Sequence, residues 1–170
     1  MAGALLATQI EELELVTGYT PVEGPGAVVT LTDSPVTQGE DGEDLERVLD
    51  SDVQRAVNGL WSAGAEAIAV NGQRLTAQSA IRSAAGAILV NYRPLKPPYR
   101  VEAIGPPGLA ERYVATADAQ ELARISTQFG IGLELSSVDE ISLRSATSPL
   151  PSDAEVVRPA DAVGPGEGEG

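Results

Sequence analysis

The chain has 170 residues, no histidine and no cysteine, and 11 basic against 25 acidic side chains, for a net charge of −14. Those counts exclude His–Cys zinc sites, thiol nucleophiles, disulfides, Ser-His-Asp triads and histidine pH switches. The charge is uneven, with net −11 over residues 1–52, +3 over 53–133 and −6 over 134–170. The acid therefore flanks a mildly basic centre, and nucleic acid is not an expected partner.

Hydrophobic residues make up 42% and aromatics only 4%, so a core must be built from Ala, Val, Leu and Ile. No apolar run approaches the ~18–20 residues of a membrane span. Met1-Ala2-Gly3-Ala4 lacks the basic start of a signal peptide. The visible chain is expected to be soluble, either by itself or as the soluble part of an anchored protein.

Residues 4–17 read as a helix. Leu6, Ile10, Leu13 and Val16 or Thr17 follow a coiled-coil spacing. Such a stripe suits either a helix docked on its own domain or the end of a longer coiled coil. We assign residues 1–18 to the second. After the turn-rich Thr20–Gly26, residues 27–32 are β-branched and read as a strand. Residues 36–50 form an acidic loop, without the alternate-position oxygen ligands of a calcium loop. A helix follows, capped at Ser51 or Asp50, with Val53, Val57, Leu60 and Trp61 on its core face and Gly64 at its end.

Residues 65–70 form a strand, and Asn71-Gly72 is a hairpin turn signal, since both residues tolerate positive φ. Residues 77–83 read as extended, with a helix as the alternative. Residues 87–91 form a central strand. A polyproline-like connection over 92–98 leads to a strand at 99–104. Leu109–Tyr113 is a helical turn. Residues 117–129 form a helix capped at Thr116 or Asp118 and ended by Gly130. A strand at 131–136 and a short edge strand at 140–143 complete the domain. Residues 145–170 read as a disordered acidic Pro/Gly tail.

The order predicts an α+β domain over 19–144. Its expected form is ferredoxin-like (split βαβ), an antiparallel sheet with two helices on one face.

Residues 53–75 (VQRAVNGLWSAGAEAIAVNGQRL), 79–82 (SAIR) and 88–104 (ILVNYRPLKPPYRVEAI) carry a resemblance. Together they resemble a widespread family of uncharacterised bacterial proteins, the YlxW/YlxX type. The upstream Gly24-Pro25-Gly26 and Leu31-Thr32-Asp33-Ser34 fit as well. The resemblance implies an N-terminal membrane anchor, a coiled coil, and this domain outside the cytoplasmic membrane, in some members near division or sporulation genes. It implies no catalytic residue. Family members often carry Asn-Gly where this chain has Asn91-Tyr92.

Candidate chemistry concentrates in residues 67–101, which hold no acid and the bases Arg74, Arg82, Arg93, Lys96 and Arg100, interleaved with Tyr92 and Tyr99. Guanidinium groups beside aromatics suit anionic ligands. The plainer reading is a solvated strand face whose charges deter edge pairing. AVNGQRL and LVNYRPL repeat one pattern. Two such loops meeting would make a polar rim of Gln73, Arg74, Asn91 and Arg93, with Arg82 and Arg100 as further anion contacts. Gly24-Pro25-Gly26 and Gly105-Pro106-Pro107-Gly108 read as turns, since proline removes the N–H donors of a phosphate cradle. Carboxylate pairs such as Glu66 with Glu102, or Asp139 with Glu140, are expected by chance in so acidic a chain.

The sequence therefore reads as a non-enzymatic interaction module with no cofactor or metal. The expected partner is a protein, including a second copy through the coiled coil, with a small anionic ligand as the alternative.

Overall fold

The β-branched run after the first turn forms β1, Val22–Thr32, whose Ala27, Val29 and Leu31 are buried. The computed structural model describes residues 2–35, 46–149 and 152–154. Most of the acidic loop and most of the C-terminal tail lie outside the described residues. The elements run α1 (Ala2–Thr17), β1, α2 (Asp50–Ser62), β2 (Ala67–Val70), β3 (Gln73–Arg74), β4 (Ile81–Ala84), β5 (Ala87–Val90) and β6 (Arg93–Leu95). They continue with β7 (Tyr99–Ile104), α3 (Leu109–Val114), α4 (Ala117–Phe129) and β8 (Gly132–Leu143).

The architecture is α+β with antiparallel sheets. One sheet has the order β3-β2-β7-β1-β8 and the other β4-β5-β6. Every pairing in both sheets is antiparallel. The main core lies between one face of the larger sheet, the helices α2, α3 and α4, and Ile88 and Val90 of the smaller sheet. A second cluster of Val28, Ala67, Ala69, Ile104, Ile141 and Leu143 covers part of the opposite face.

Local chemistry explains the element ends. Leu49, not Ser51 or Asp50, is the N-cap of α2, and Asp50 already opens the helix. Its N–H donates to Asp52 Oδ2 at 2.8 Å. Asp50 and Asp52 also complement the positive end of the helix dipole. Thr116 Oγ1 caps α4 by accepting from the Ala119 N–H at 3.2 Å, and Gly130 ends it at φ 73°. Gly59 sits inside α2 because a Cβ there would lie 2.8 Å from the Tyr113 ring. That contact draws α3 close to α2.

Besides the α2 cap and the 92–98 connection, whose residues 93–95 form strand β6 and are not polyproline-like, three expectations change. Residues 131–136 and 140–143 are not separate strands. They form one strand, β8, with an irregularity: Gly26 faces Val138 while Gly24 faces Ile141. Two steps along β1 thus match three along β8, which bends the ribbon across the second face. Gly26 is required at this bend, because a side chain there would collide with the Ala103 carbonyl. Secondly, Trp61 does not pack into the core but stays 42% exposed. The core face of α2 turns through Val53, Ala56, Val57 and Leu60 instead. Thirdly, of residues 77–83 only Ile81 onward is strand, and no helix forms there.

The small sheet is tied to α2 through its β4 edge. Gln54 Nε2 donates to the Ile81 carbonyl at 2.7 Å, and Ser83 N–H donates to Asp50 Oδ2 at 3.0 Å. Side chains one helical turn apart thus take the place of a neighbouring strand.

Candidate functional site

The basic window folds into β2 through β7, and the structure separates its residues into two groups. Asn71 and Gly72 adopt φ 45° and 79°, making the expected hairpin turn between β2 and β3. Asn71 is then fully engaged. Its Nδ2 donates to the Lys96 carbonyl at 3.1 Å, and its Oδ1 accepts from Arg100 N–H at 2.7 Å. Asn91 and Tyr92 also take positive φ, 51° and 65°, despite the absence of glycine. Tyr92 lies 74% exposed, with the Arg82 guanidinium 4.7 Å from its ring centroid.

The two repeated loops do meet: Asn91 Nδ2 donates to the Arg74 carbonyl at 3.2 Å. They do not make the expected rim, because Arg74 points away from it and is only 3% exposed. Its guanidinium donates to the carbonyls of Thr20 at 3.0 Å, Leu15 at 3.3 Å and Arg144 at 3.3 Å. Burial lowers its pKa from the usual arginine value. Arg74 is thus a structural cation and not an anion contact. Gln73 is half-buried, while Arg82, Arg93 and Arg100 are exposed. Arg100 is paired with Glu102 at 3.4 Å.

Of the predicted site residues, Asn91 and Arg93 line a cavity of about 340 Å³ with Gln78, Tyr92 and residues 147–149, and Gln73, Arg82 and Arg100 do not. This shallow site offers one guanidinium, amides and a phenol. Among the described residues no three His, Cys, Asp or Glu side chains group as metal ligands.

Arg74 defines a different place, the junction of α1 with the domain. All of Ala2–Thr17 is exposed, and α1 buries no residue. Leu6 is 58%, Ile10 47% and Leu13 64% exposed, so the apolar stripe is uncovered among the described residues. Only the helix end is held. Gly18 at φ 88° lets Gly18 and Tyr19 donate back to the Glu14 carbonyl, at 3.0 and 2.9 Å. Ala146 N–H donates to the Gly18 carbonyl at 2.7 Å. Arg74 places its charge at the negative end of the helix, where a cation stabilises it. No helix of the described residues is long and apolar enough to cross a membrane.

Residues 9–154 match the family described as bacterial protein of unknown function, DUF881. The chain belongs to this family. A UPF0749 protein of Mycobacterium tuberculosis is 35% identical over 149 residues, covering 83% of this chain and 48% of that protein. The UPF0749 protein YlxW of Bacillus subtilis is 35% identical over 97 residues, covering 57% of this chain and 42% of YlxW. The YlxW-type resemblance read from residues 53–104 is therefore correct. The chain spans about half the length of the curated relatives it matches. A crystal structure of an uncharacterised conserved protein from M. tuberculosis shares the fold, with a TM-score of 0.66 at 22% identity over 88% of this chain and 99% of that one.

For this DUF881 domain, sequence reasoning found the Asn71-Gly72 turn but missed the role of Arg74. Its three carbonyl partners lie 54, 59 and 70 residues away, so no local pattern announces them.

Proposed function

We propose that this domain is a non-enzymatic interaction module, the extracytoplasmic part of a membrane-anchored bacterial envelope protein that serves division or envelope assembly. In this reading α1 is the end of a coiled coil that joins copies of the chain and sets the distance to the membrane. The observation that carries it is α1 itself, a helix whose heptad stripe is uncovered and whose far end alone is bound to the domain among the described residues. With Ile10 and Leu13 as a and d residues, Glu11 and Glu12 fall outside the seam. A ferredoxin-like assignment belongs to the same reading. It is supported by the order β2-β7-β1-β8, with α2 joining β1 to β2 and α4 leading into β8.

Sedimentation of the protein with its native upstream segment tests this. The expected result is a discrete oligomer that dissociates when Ile10 and Leu13 are both replaced by aspartate. A monomer at every concentration would overturn it.

A second reading, binding of a small anionic ligand, is favoured by the Arg82–Tyr92 stack beside Arg93. Titration with inorganic phosphate should then perturb Tyr92 fluorescence, and Arg93→Ala should abolish the change.

A further inference from the structure

The larger sheet has two unequal edges. β3 ends one of them with two residues, whereas β8 ends the other with twelve. β8 pairs with β1 on one side, and no strand lies on its other side among the described residues. A free edge of this length presents a row of unpaired N–H and C=O groups, a template for another strand. Residues 134–137 of β8 are all exposed, including Leu135 at 36%. No proline or lysine interrupts the edge.

The two faces of β8 differ in chemistry. Leu133 and Leu135 lie opposite Leu31 and Val29, which belong to the helix-covered core. Glu134 and Ser136 lie opposite Thr30 and Val28 on the other face. An added strand would therefore set alternate residues beside Leu133 and Leu135 on one face and beside Glu134 and Ser136 on the other. β8 carries Glu134, Asp139 and Glu140 and no base. This composition opposes a second copy. An antiparallel β8–β8 pairing centred between Ser136 and Ser137 sets Glu134 opposite Asp139, and like charges directly opposite repel. The same acids attract a basic strand.

We propose that the outer edge of β8, centred on residues 133–137, docks an extended protein segment in which Lys or Arg alternates with apolar residues. The docked strand continues the sheet by backbone hydrogen bonds. Its apolar side chains lie next to Leu133 and Leu135, and its bases lie next to Glu134. The inference rests on the reading of the domain as a partner-presenting module and names the surface it presents.

The test uses the full chain and an end-blocked peptide of alternating lysine and valine, about eight residues long. Amide hydrogen exchange followed by NMR should slow about tenfold or more at alternate amides within 133–137 when the peptide is added. A peptide N-methylated at alternate residues on its docking edge should bind at least about tenfold more weakly. Glu134→Lys should weaken binding by a similar factor, and so should raising salt from about 0.05 to about 0.3 M. Equal binding of the N-methylated peptide overturns the proposal, as does protection confined to other strands. Protection of 133–137 that grows with protein concentration in the absence of peptide assigns the edge to a second copy and also overturns it. Oligomerisation through α1, followed by sedimentation, is unaffected by any of these outcomes, so the two readings fail separately.

Discussion

The helices α1 and α2 both carry apolar side chains at helical spacing, far more one-sidedly in α2, yet they end in opposite surroundings. α2, with 13 residues, buries Val53, Ala56, Val57 and Leu60. α1, with 16 residues and more leucine, leaves Leu5 70% and Leu13 64% exposed. Hydrophobicity alone would bury the wrong helix, since α1 is the more apolar of the two. α2 joins β1 to β2, two strands of one sheet, so both of its ends are tethered and its apolar face lies over that sheet. Among the described residues α1 is tethered at one end only, where Arg74 and Gly18 hold it. An apolar period announces that a helix has a face to cover, and the tethers decide what covers it.

Substitution of equivalent leucines tests this contrast most strongly. Leu60→Ala in α2 should cost about 2–5 kcal/mol, since the leucine is fully buried. Leu13→Ala in the monomer should stay within about 0.5 kcal/mol. Urea unfolding monitored by circular dichroism measures both, and equal losses would break the comparison.

Next in size is the clamp. Arg74→Met leaves the carbonyls of Leu15, Thr20 and Arg144 without their donor, at a cost of about 2–3 kcal/mol. NMR relaxation should then show α1 tumbling independently of the sheet. If α1 still reorients with the domain, Arg74 is not what holds it.

The cap of α4 carries a smaller term. Thr116→Ala removes the acceptor for the Ala119 N–H and should destabilise by about 1 kcal/mol, read from the shift in urea midpoint.

The smallest effect is one of pH. Burial raises the Asp52 pKa above 3.8, against the lowering pull of the Leu49 N–H and Arg55. A raised pKa means that the folded protein holds this proton more tightly than the unfolded chain does. Asp52 therefore adds stability as pH falls through its folded pKa, and that increment is lost above it. Asp52→Asn keeps the acceptor for Leu49 but does not titrate. The stability of the variant relative to the parent should be greater at pH 7 than near pH 4. A constant or reversed difference between unfolding midpoints would show that burial does not govern this carboxyl.

Several local features are legible in the sequence, although the α2 cap is Leu49 and not the expected Ser51 or Asp50. Asn71-Gly72, Thr116 and Gly130 act through hydrogen bonds and φ angles within a few residues, so neighbours in the chain specify them. Errors arose where the deciding partner is remote. Trp61 sits one position past Leu60, and the placement of α2 over the sheet selects Leu60 and leaves the indole exposed. Arg74, Arg82 and Arg93 share one side-chain chemistry and one basic window. Only the approach of Leu15, Thr20 and Arg144 makes the first a buried clamp and leaves the others at the surface.

The amino-acid sequence by itself determined most element types, the Asn71-Gly72 turn, the α4 cap, the aliphatic core and the exclusion of histidine and cysteine chemistry. These follow from side-chain identity and spacing, which no tertiary contact alters. Tertiary structure alone decided, among the described residues, which apolar stripe stays open, which arginine is buried and which strand forms the long edge of the sheet. Those outcomes depend on carbonyls and strands brought together from distant parts of the chain. Where they meet is set by the sheet order, because backbone polar groups must be paired wherever water is excluded.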